Sequence, residues 1–329
     1  MRAAVDALAE PQPALAGMGR YHLGWVDESF APVDNVDQGK RMRPELALLC
    51  CQAAGGRLEQ AAPLAAAIEL LHNFTLVHDD IQDRSPTRRH RATVWTLWGE
   101  SQAINAGDAL FAAAHLALYE LRGRGVDAER VLEIAAAFDR MTIEIVAGQT
   151  ADLDFERRAD VTPDDYLTMI AGKTAAIVRF AARAGATIAG ASPEAAERFG
   201  EFGLALGLGF QVQDDLLGIW GSASETGKAE ADDIRRKKKS LPILLLRQRT
   251  GGDNSAALDR LYAQDEIDSS GIELVLALLA KHDVRPAAEA LVRTYHDQAV
   301  SALLVAAPEA SPARAALLNR IELLASRSK

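Results

Sequence analysis

The chain is poor in cysteine, in aromatic residues and in net positive charge, and it has no long uninterrupted apolar run. Cys50 and Cys51 are its only cysteines, and neighbours in sequence do not form a structural disulfide. The pair points to a reducing compartment, the cytoplasm, and leaves no thiolate cluster for zinc. Aromatic residues make up 5% of the chain against 49% apolar, so Ala and Leu must build the core, which favours helices. A net charge of −10 removes any general attraction to nucleic acid or anionic lipid. The basic run Arg235-Arg236-Lys237-Lys238-Lys239 is therefore a local feature, and an isolated run of this kind is by default a solvated loop. No stretch of about 18 apolar residues occurs, so no membrane span is expected. Asp6, Glu10, Pro11 and Pro13 interrupt any secretory leader, and residues 1–20 are expected to be disordered.

What is present is helical spacing. Leu46 to Cys51 and Leu64 to Leu71 are apolar almost all round, as in central buried helices. Asn105 to Leu121, Val131 to Ala147, Asp164 to Ala189 and Pro193 to Trp220 continue the pattern. Breaks fall at Gly55-Gly56, Gly123 to Gly125, Gly190 to Pro193, Gly221 to Gly227 and Gly251 to Asn254, and Asp268 to Gly271 precedes a further helix. Candidate site residues spread from position 40 to position 238. The expectation is one all-α domain over 1–329.

Two acidic pairs on apolar helical backgrounds stand out. One lies in Leu76-Val77-His78-Asp79-Asp80-Ile81-Gln82-Asp83, followed by Arg88-Arg89; the other is Phe210-Gln211-Val212-Gln213-Asp214-Asp215-Leu216-Leu217-Gly218. Asp79 and Asp83 are one helical turn apart, so both carboxylates leave one face. Two such clusters facing each other would suit hard divalent cations that also hold a substrate diphosphate, because Mg²⁺ is typically bound by a few carboxylates, waters and phosphate oxygens. A lone DDxxD is more often a solvated face. These pairs follow apolar runs, where a carboxylate needs a cation or a hydrogen-bonding partner.

Five blocks in order resemble the polyprenyl synthetase family of trans-isoprenyl diphosphate synthases. They are Gly39-Lys40-Arg41-Met42-Arg43-Pro44; Glu69 to His72 running into Asp79 to Asp83 with Arg88-Arg89; Gly172-Lys173-Thr174-Ala175; Phe210 to Asp215; and Gly227-Lys228 with Asp233-Ile234-Arg235 and Lys238 to Pro242. The resemblance implies an all-helical bundle around a deep central cavity, and a homodimeric, Mg²⁺-dependent prenyltransferase of the short-chain, geranylgeranyl diphosphate synthase type. Such an enzyme condenses isopentenyl diphosphate head-to-tail with an allylic diphosphate. It further implies that Asp79, Asp83 and Asp214 hold the metal, with Asp80 and Asp215 in support. Arg88, Lys173, Thr174, Gln211, Lys228 and Lys238 would hold the allylic diphosphate, and Lys40, Arg43, His72 and Arg89 the isopentenyl diphosphate. Read without the family, Lys40 and Arg43 could be surface charges beside a helix start at Pro44, and His72 a hydrogen-bonded core histidine.

Some positions depart from the family pattern. Gly218 stands where a third Asp is common, Gln38 and His90 where Gly is common, and Ala92 and Trp95 at Pro and His positions. The family sets product length by the bulk lying four, five and eight residues before the first Asp, here Thr75, Phe74 and Leu71. Phe74 resembles short-chain enzymes making a C20 product, with C15 next; as a core filler it would be equally ordinary. Two other readings stay open, a class I terpene cyclase and a non-catalytic partner subunit. A cyclase has no use for Lys40, Arg43 and Arg89, and such subunits usually lose the metal-binding acids.

Overall fold

The computed structural model describes residues 1–34, 36, 39, 41–221, 230–264 and 266–325. Lys40, Lys228 and Gln38, together with most of the Gly221 to Gly227 break, lie outside the described residues. The all-α expectation holds. The helices begin α1 Arg2–Asp6, α2 Pro13–His22, α3 Met42–Ala53, α4 Leu58–Gln82, α5 Val94–Trp98 and α6 Glu100–Tyr119. They continue α7 Ala128–Arg157, α8 Pro163–Ile170, α9 Ala176–Ile188 and α10 Pro193–Trp220, then Asp232–Arg235, Leu241–Arg249, Gly252–Tyr262, Ser269–Lys281, Val284–Ala306 and Pro312–Ala325. The break at Gly251 to Asn254 is narrower than the glycines suggest, since Gly252 already opens a helix with Gly251 as its extended N-cap. Contacts group into two compact units: Met1–Ala137 with Ala181–Ala196, and Phe138–Phe180 with Glu197–Lys329.

In the first unit α4 packs on α3 and α6, and its all-round apolar sequence explains why: Leu64, Ile68, Leu70 and Leu71 are all fully buried. Where helices close up, glycine makes the room. An ideal Cβ on Gly56 would stand 2.6 Å from Cys51 Sγ. The first twenty residues correct the sequence expectation. They are not disordered but form α1 and α2, both packed on α6. Pro13 occupies the first turn of α2, where its missing N–H costs nothing, so it starts a helix instead of breaking one. Val5 and Ala16 are fully buried, with Met18 and Tyr21 nearly so. The Tyr21 hydroxyl donates to the Ala92 carbonyl at 2.8 Å, and the Arg91 guanidinium lies 4.0 Å from the Tyr21 ring centroid.

In the second unit Leu241–Arg249 is the buried centre. It packs on α8, Ser269–Lys281 and Val284–Ala306, with Leu241, Ile243 and Leu246 fully buried. The stretch Asp164 to Ala189, which reads as one helix, is interrupted. Residues Ala171–Ala175 form a π-helical turn between α8 and α9. Two glycines set that register. A Cβ on Gly148 of α7 would stand 2.8 Å from Lys173 Cα, and one on Gly172 would stand 2.9 Å from the Glu144 carbonyl. An α-helix crossing this closely admits only backbone at the contact.

Truncating Met18 to Ala should cost about 2–3 kcal/mol, the low end of the range for buried aliphatic deletions. Denaturant unfolding checks it; a disordered N-terminal segment would give no change.

Candidate active site

Each acidic pair splits in the same way, because neighbours on a helix point about 100° apart. On α4 Asp79 is half-buried and Asp83, at the helix end, is exposed. Asp80 turns inward and is buried, and Arg88 donates to its Oδ1 at 2.8 Å. Burial pushes the Asp80 carboxyl up to about 6, against the pull of Arg88. On α10 Asp214 is exposed and Asp215 buried. Asp215 accepts from the Tyr166 hydroxyl at 2.7 Å, the Leu241 backbone N–H at 3.1 Å and Gln211 Nε2 at 3.1 Å. Burial still raises its carboxyl to about 7. The inward aspartates are thus buried and hydrogen-bonded, and the outward ones are left on helical faces.

Arg88 and Arg89 sit on a small hairpin that the scarcity of alternating patterns did not announce. Thr87 pairs with Ala92 and Arg88 with Arg91, antiparallel. The turn residues Arg89 and His90 have φ of 51° and 62°, the mirror-image turn that fits a two-residue hairpin. Glycine would adopt this conformation more easily, which explains why His90 stands out. Trp95 of α5, at a family His position, donates from its indole to the Ser85 carbonyl at 2.8 Å and ties α5 to the segment that leads from α4 into the hairpin.

Among the described residues, the expected diphosphate residues of the first unit come together. Arg43 NH1 lies 3.3 Å from His72 Nε2. Arginine only donates, so Nε2 is the acceptor and the proton sits on Nδ1. Burial, then Arg43, Arg89, Arg88 and His22, hold His72 well below the usual histidine range. A Cβ on Gly39 (φ 75°) would stand 2.7 Å from an Arg89 guanidinium nitrogen, so the Gly39 block approaches Arg89 backbone-first. The sequence missed His22 and Arg91, which line a small cavity with Tyr21, Asp80, Arg88 and Arg89. His22 ends α2, just beyond the segment expected to be disordered, and Arg91 lies on the unannounced hairpin opposite Arg88, so no spacing singles them out.

In the second unit, Lys173 and Thr174 both belong to the π turn. Lys173 Nζ donates to Asp152 at 2.5 Å, and the Thr174 hydroxyl to Gln211 Oε1 at 3.0 Å. Thr174, Gln211, Asp215 and Tyr166 therefore form one hydrogen-bonded chain. Asp152 and Tyr166 escaped the sequence reading, since a single Asp and a single Tyr on helices carry no signal until the fold brings them there. The basic run is not a plain solvated loop. Arg236 pairs with Asp232 at 3.1 Å, Lys237 donates to the Gln264 carbonyl, and Lys239 donates to the Phe155, Glu156 and Arg158 carbonyls at the end of α7. Lys238 is half-exposed, with its ammonium 3.8 Å from Asp233.

The chain-length candidates separate. Leu71 is fully buried, and the Thr75 hydroxyl caps the His72 carbonyl at 2.8 Å. Phe74 is half-buried, its ring 5.2 Å from Phe111 of α6 and 4.8 Å from His78. Among the described residues no three carboxylate, imidazole or thiolate groups gather as a preformed metal cage. On each helix taken by itself, outward carboxylates fit an ion such as Mg²⁺ that takes its remaining ligands from water and phosphate.

Residues 30–279 match the Polyprenyl synthetase family. The chain belongs to that family. A (2E,6E)-farnesyl diphosphate synthase of Mycobacterium tuberculosis is 45% identical over 231 residues, 70% of this chain and 63% of the relative. The match thus spans less than two thirds of that relative's length. Among solved structures, a polyprenyl synthetase from Streptomyces coelicolor superposes with a TM-score of 0.85 at 36% identity, covering 98% of this chain and 94% of the other. A geranylgeranyl pyrophosphate synthase from Corynebacterium glutamicum, complexed with isoprenyl diphosphate and magnesium, gives 0.82 at 25% identity, covering 99% and 97%. The isoprenoid synthase fold follows, and no described helix is long and apolar enough to cross a membrane.

His22 gives a pH test of the cavity. Burial first, then Arg88, Arg89 and Arg91, hold its imidazole down at about 3. The unfolded imidazole takes a proton below about 6.5 while the folded one does not, so this group's stability contribution is full above pH 7 and lost as pH falls. Between pH 7 and pH 5 the loss should reach at most about 2 kcal/mol. Asp80 and Asp215, with raised values, act with the opposite sign in the same window, so the comparison is with His22→Gln. Urea unfolding at both pH values should show the wild type losing more stability than the variant; equal losses would mean that His22 is solvated.

Proposed function

We propose that this chain is a prenyltransferase that condenses isopentenyl diphosphate with an allylic diphosphate, head to tail and with Mg²⁺, to a short trans-prenyl diphosphate. The observation that carries the reading is the repeated arrangement of the acidic pairs. On both α4 and α10 the first Asp faces outward while the second is buried and hydrogen-bonded, with cationic residues close by. A cyclase would not need the separate Arg43, His72 and Arg89 group, and a non-catalytic subunit would not need Asp79, Asp83 and Asp214. The relatives' names, farnesyl and geranylgeranyl synthases, support the same activity.

In this reading Asp79, Asp83 and Asp214 hold Mg²⁺, which when bound supplies Lewis-acid stabilisation of the departing diphosphate. The allylic C–O bond breaks, its electron pair leaving with the diphosphate. The isopentenyl double bond then attacks the allyl cation, and a proton is lost. Lys173, Thr174, Gln211, Lys238, Arg88 and, outside the described residues, Lys228 offset charge on the allylic diphosphate. Arg43, Arg89 and His72, with Lys40 also outside the described residues, hold the isopentenyl diphosphate. Neutral His72 serves as a hydrogen-bonding group there, and the arginines offer forked contacts. Residues 1–329 act as one catalytic domain, in the cytoplasm, as a homodimer. Ile104, Leu116 and Tyr119, exposed apolar residues along α6, support an interface between copies.

Purified protein incubated with Mg²⁺, labelled isopentenyl diphosphate and each allylic primer tests the activity. A cyclase would consume primer without isopentenyl dependence, and a partner subunit would turn over neither. Asp79→Ala and Asp214→Ala should each lower turnover about a thousandfold, equivalent to ~4 kcal/mol of transition-state stabilisation, with folding intact by circular dichroism. Condensation at an unchanged rate after chelation of divalent ions would remove the metal from the mechanism.

Product length rests on Phe74, one to two turns before Asp79 on α4, about 7.5 Å along the axis at 1.5 Å per residue. A tail growing along α4 from the acidic cluster would meet this ring after a few isoprene units, giving C20, or C15 if it stops sooner. Phe74→Ala opens that space, and each added apolar unit gains burial, so longer products should appear. The half-buried ring puts the stability loss near the low end of about 3–5 kcal/mol. Chromatography of the dephosphorylated products decides it: an unchanged distribution from a folded, active variant would place the floor elsewhere.

A further inference from the structure

Gly218 is the position where the second acidic motif departs from its family, and the structure fills that position from another segment. A Cβ on Gly218 would stand 2.6 Å from Asp233 Cγ, with Oδ2 nearer still. No side chain fits there while Asp233 stays where it is. Asp233 is 5% exposed, in the short helix Asp232–Arg235. Its carboxylate lies against α10 one turn beyond Asp214, and its charge adds to the upward push on Asp215.

The same segment is fixed at three further points. The Lys238 backbone N–H donates to the Asp233 carbonyl at 2.9 Å, and the Lys238 ammonium lies 3.8 Å from Asp233 Oδ1. The Leu241 N–H donates to Asp215, and Lys239 is anchored on the end of α7. Ala231 and Lys237, bracketing the turn, take left-handed backbone with φ of 55° and 54°, a conformation that persists only where the surroundings hold it. Lys238 is thus the member of the run whose place depends on where Asp233 sits.

We propose that Asp233 is a positioning residue. Seated in the notch that Gly218 leaves on α10, it sets the Lys238 ammonium beside the second acidic pair, where it meets the allylic diphosphate. Gly218 is then a receptacle and not merely a lost acid. This rests on the prenyltransferase reading. Gly218→Ala fills the notch and should raise the KM for the allylic diphosphate about tenfold, with the KM for isopentenyl diphosphate unchanged. Asp233→Asn keeps the shape and weakens only the hold on the ammonium, so it should move the same KM in the same direction by less. Gly218→Asp should be worse than Gly218→Ala, and adding Asp233→Ala to it should recover part of the loss.

Circular dichroism and urea unfolding separate these effects from misfolding, and Asp233→Asn serves where Gly218→Ala does not fold. A wild type that condenses isopentenyl diphosphate, with Gly218→Ala and Asp233→Asn leaving the allylic KM unmoved, overturns the role of Asp233 alone. Equal rises in both KM values overturn it as well, since they would report general loosening. A wild type that condenses nothing overturns both readings.

Discussion

A carboxyl group taken out of water costs several kcal/mol unless hydrogen bonds or cations replace the lost hydration, and α10 buries Asp215. Much of the second unit answers that demand. Tyr166 from α8, Gln211 one turn earlier on α10 and the first N–H of Leu241–Arg249 all converge on this one group. Gln211 passes the network to Thr174. Helices far apart in sequence are therefore oriented by a single acid. Because Asp215 is fixed, Asp214 must leave α10 about 100° away, toward solvent. Asp80 does the same for α4 with one partner, Arg88, and sends Asp79 outward. The buried member of each pair makes the outward member's direction a property of the fold.

The acids were legible because the helical period converts spacing directly into direction. The sequence alone gives Asp79 and Asp83 a common face and turns Asp80 and Asp215 away. It also gives the bounds of α10, from Pro193 to Trp220, and a helix near Asp268, where the structure adds that the Asp268 side chain caps it by accepting from the Gly271 N–H. What stayed hidden depends on contacts distant in sequence. Ala171 to Ala175 has the composition of any α-helix, and its π register follows from the backbone approach of Gly148. The N-terminal segment was misjudged because Pro13 reads as a breaker until its first-turn position is known. Asp152 and Tyr166 become site residues only through partners 21 and 49 positions away.

The acids and the cations stand on different kinds of backbone, and the physical demands on each explain this. The outward aspartates lie on long regular helices. A carboxylate has a short side chain, so a ligand's place is set by its Cα, and hydrogen-bonded helix fixes Cα well. Several of the cations lie on irregular segments: Arg89 at the left-handed tip of a hairpin, Lys173 in a π turn, and Lys238 next to left-handed Lys237. Lys and Arg reach across several bonds and lose much rotamer entropy when held, so the backbone alone does not place their charges. Partners do it instead: Asp80 for Arg88, Asp152 for Lys173 and Asp233 for Lys238. Each pairing also keeps a cation from being buried without a counter-charge before a polyanion arrives. In the proposed reading, a diphosphate meets cations in each unit already oriented by acids it can outcompete, because its own charge exceeds that of one carboxylate. On that proposal, binding would exchange one set of ion pairs for a stronger one, leaving less reorganisation for the step in which negative charge develops on the leaving group.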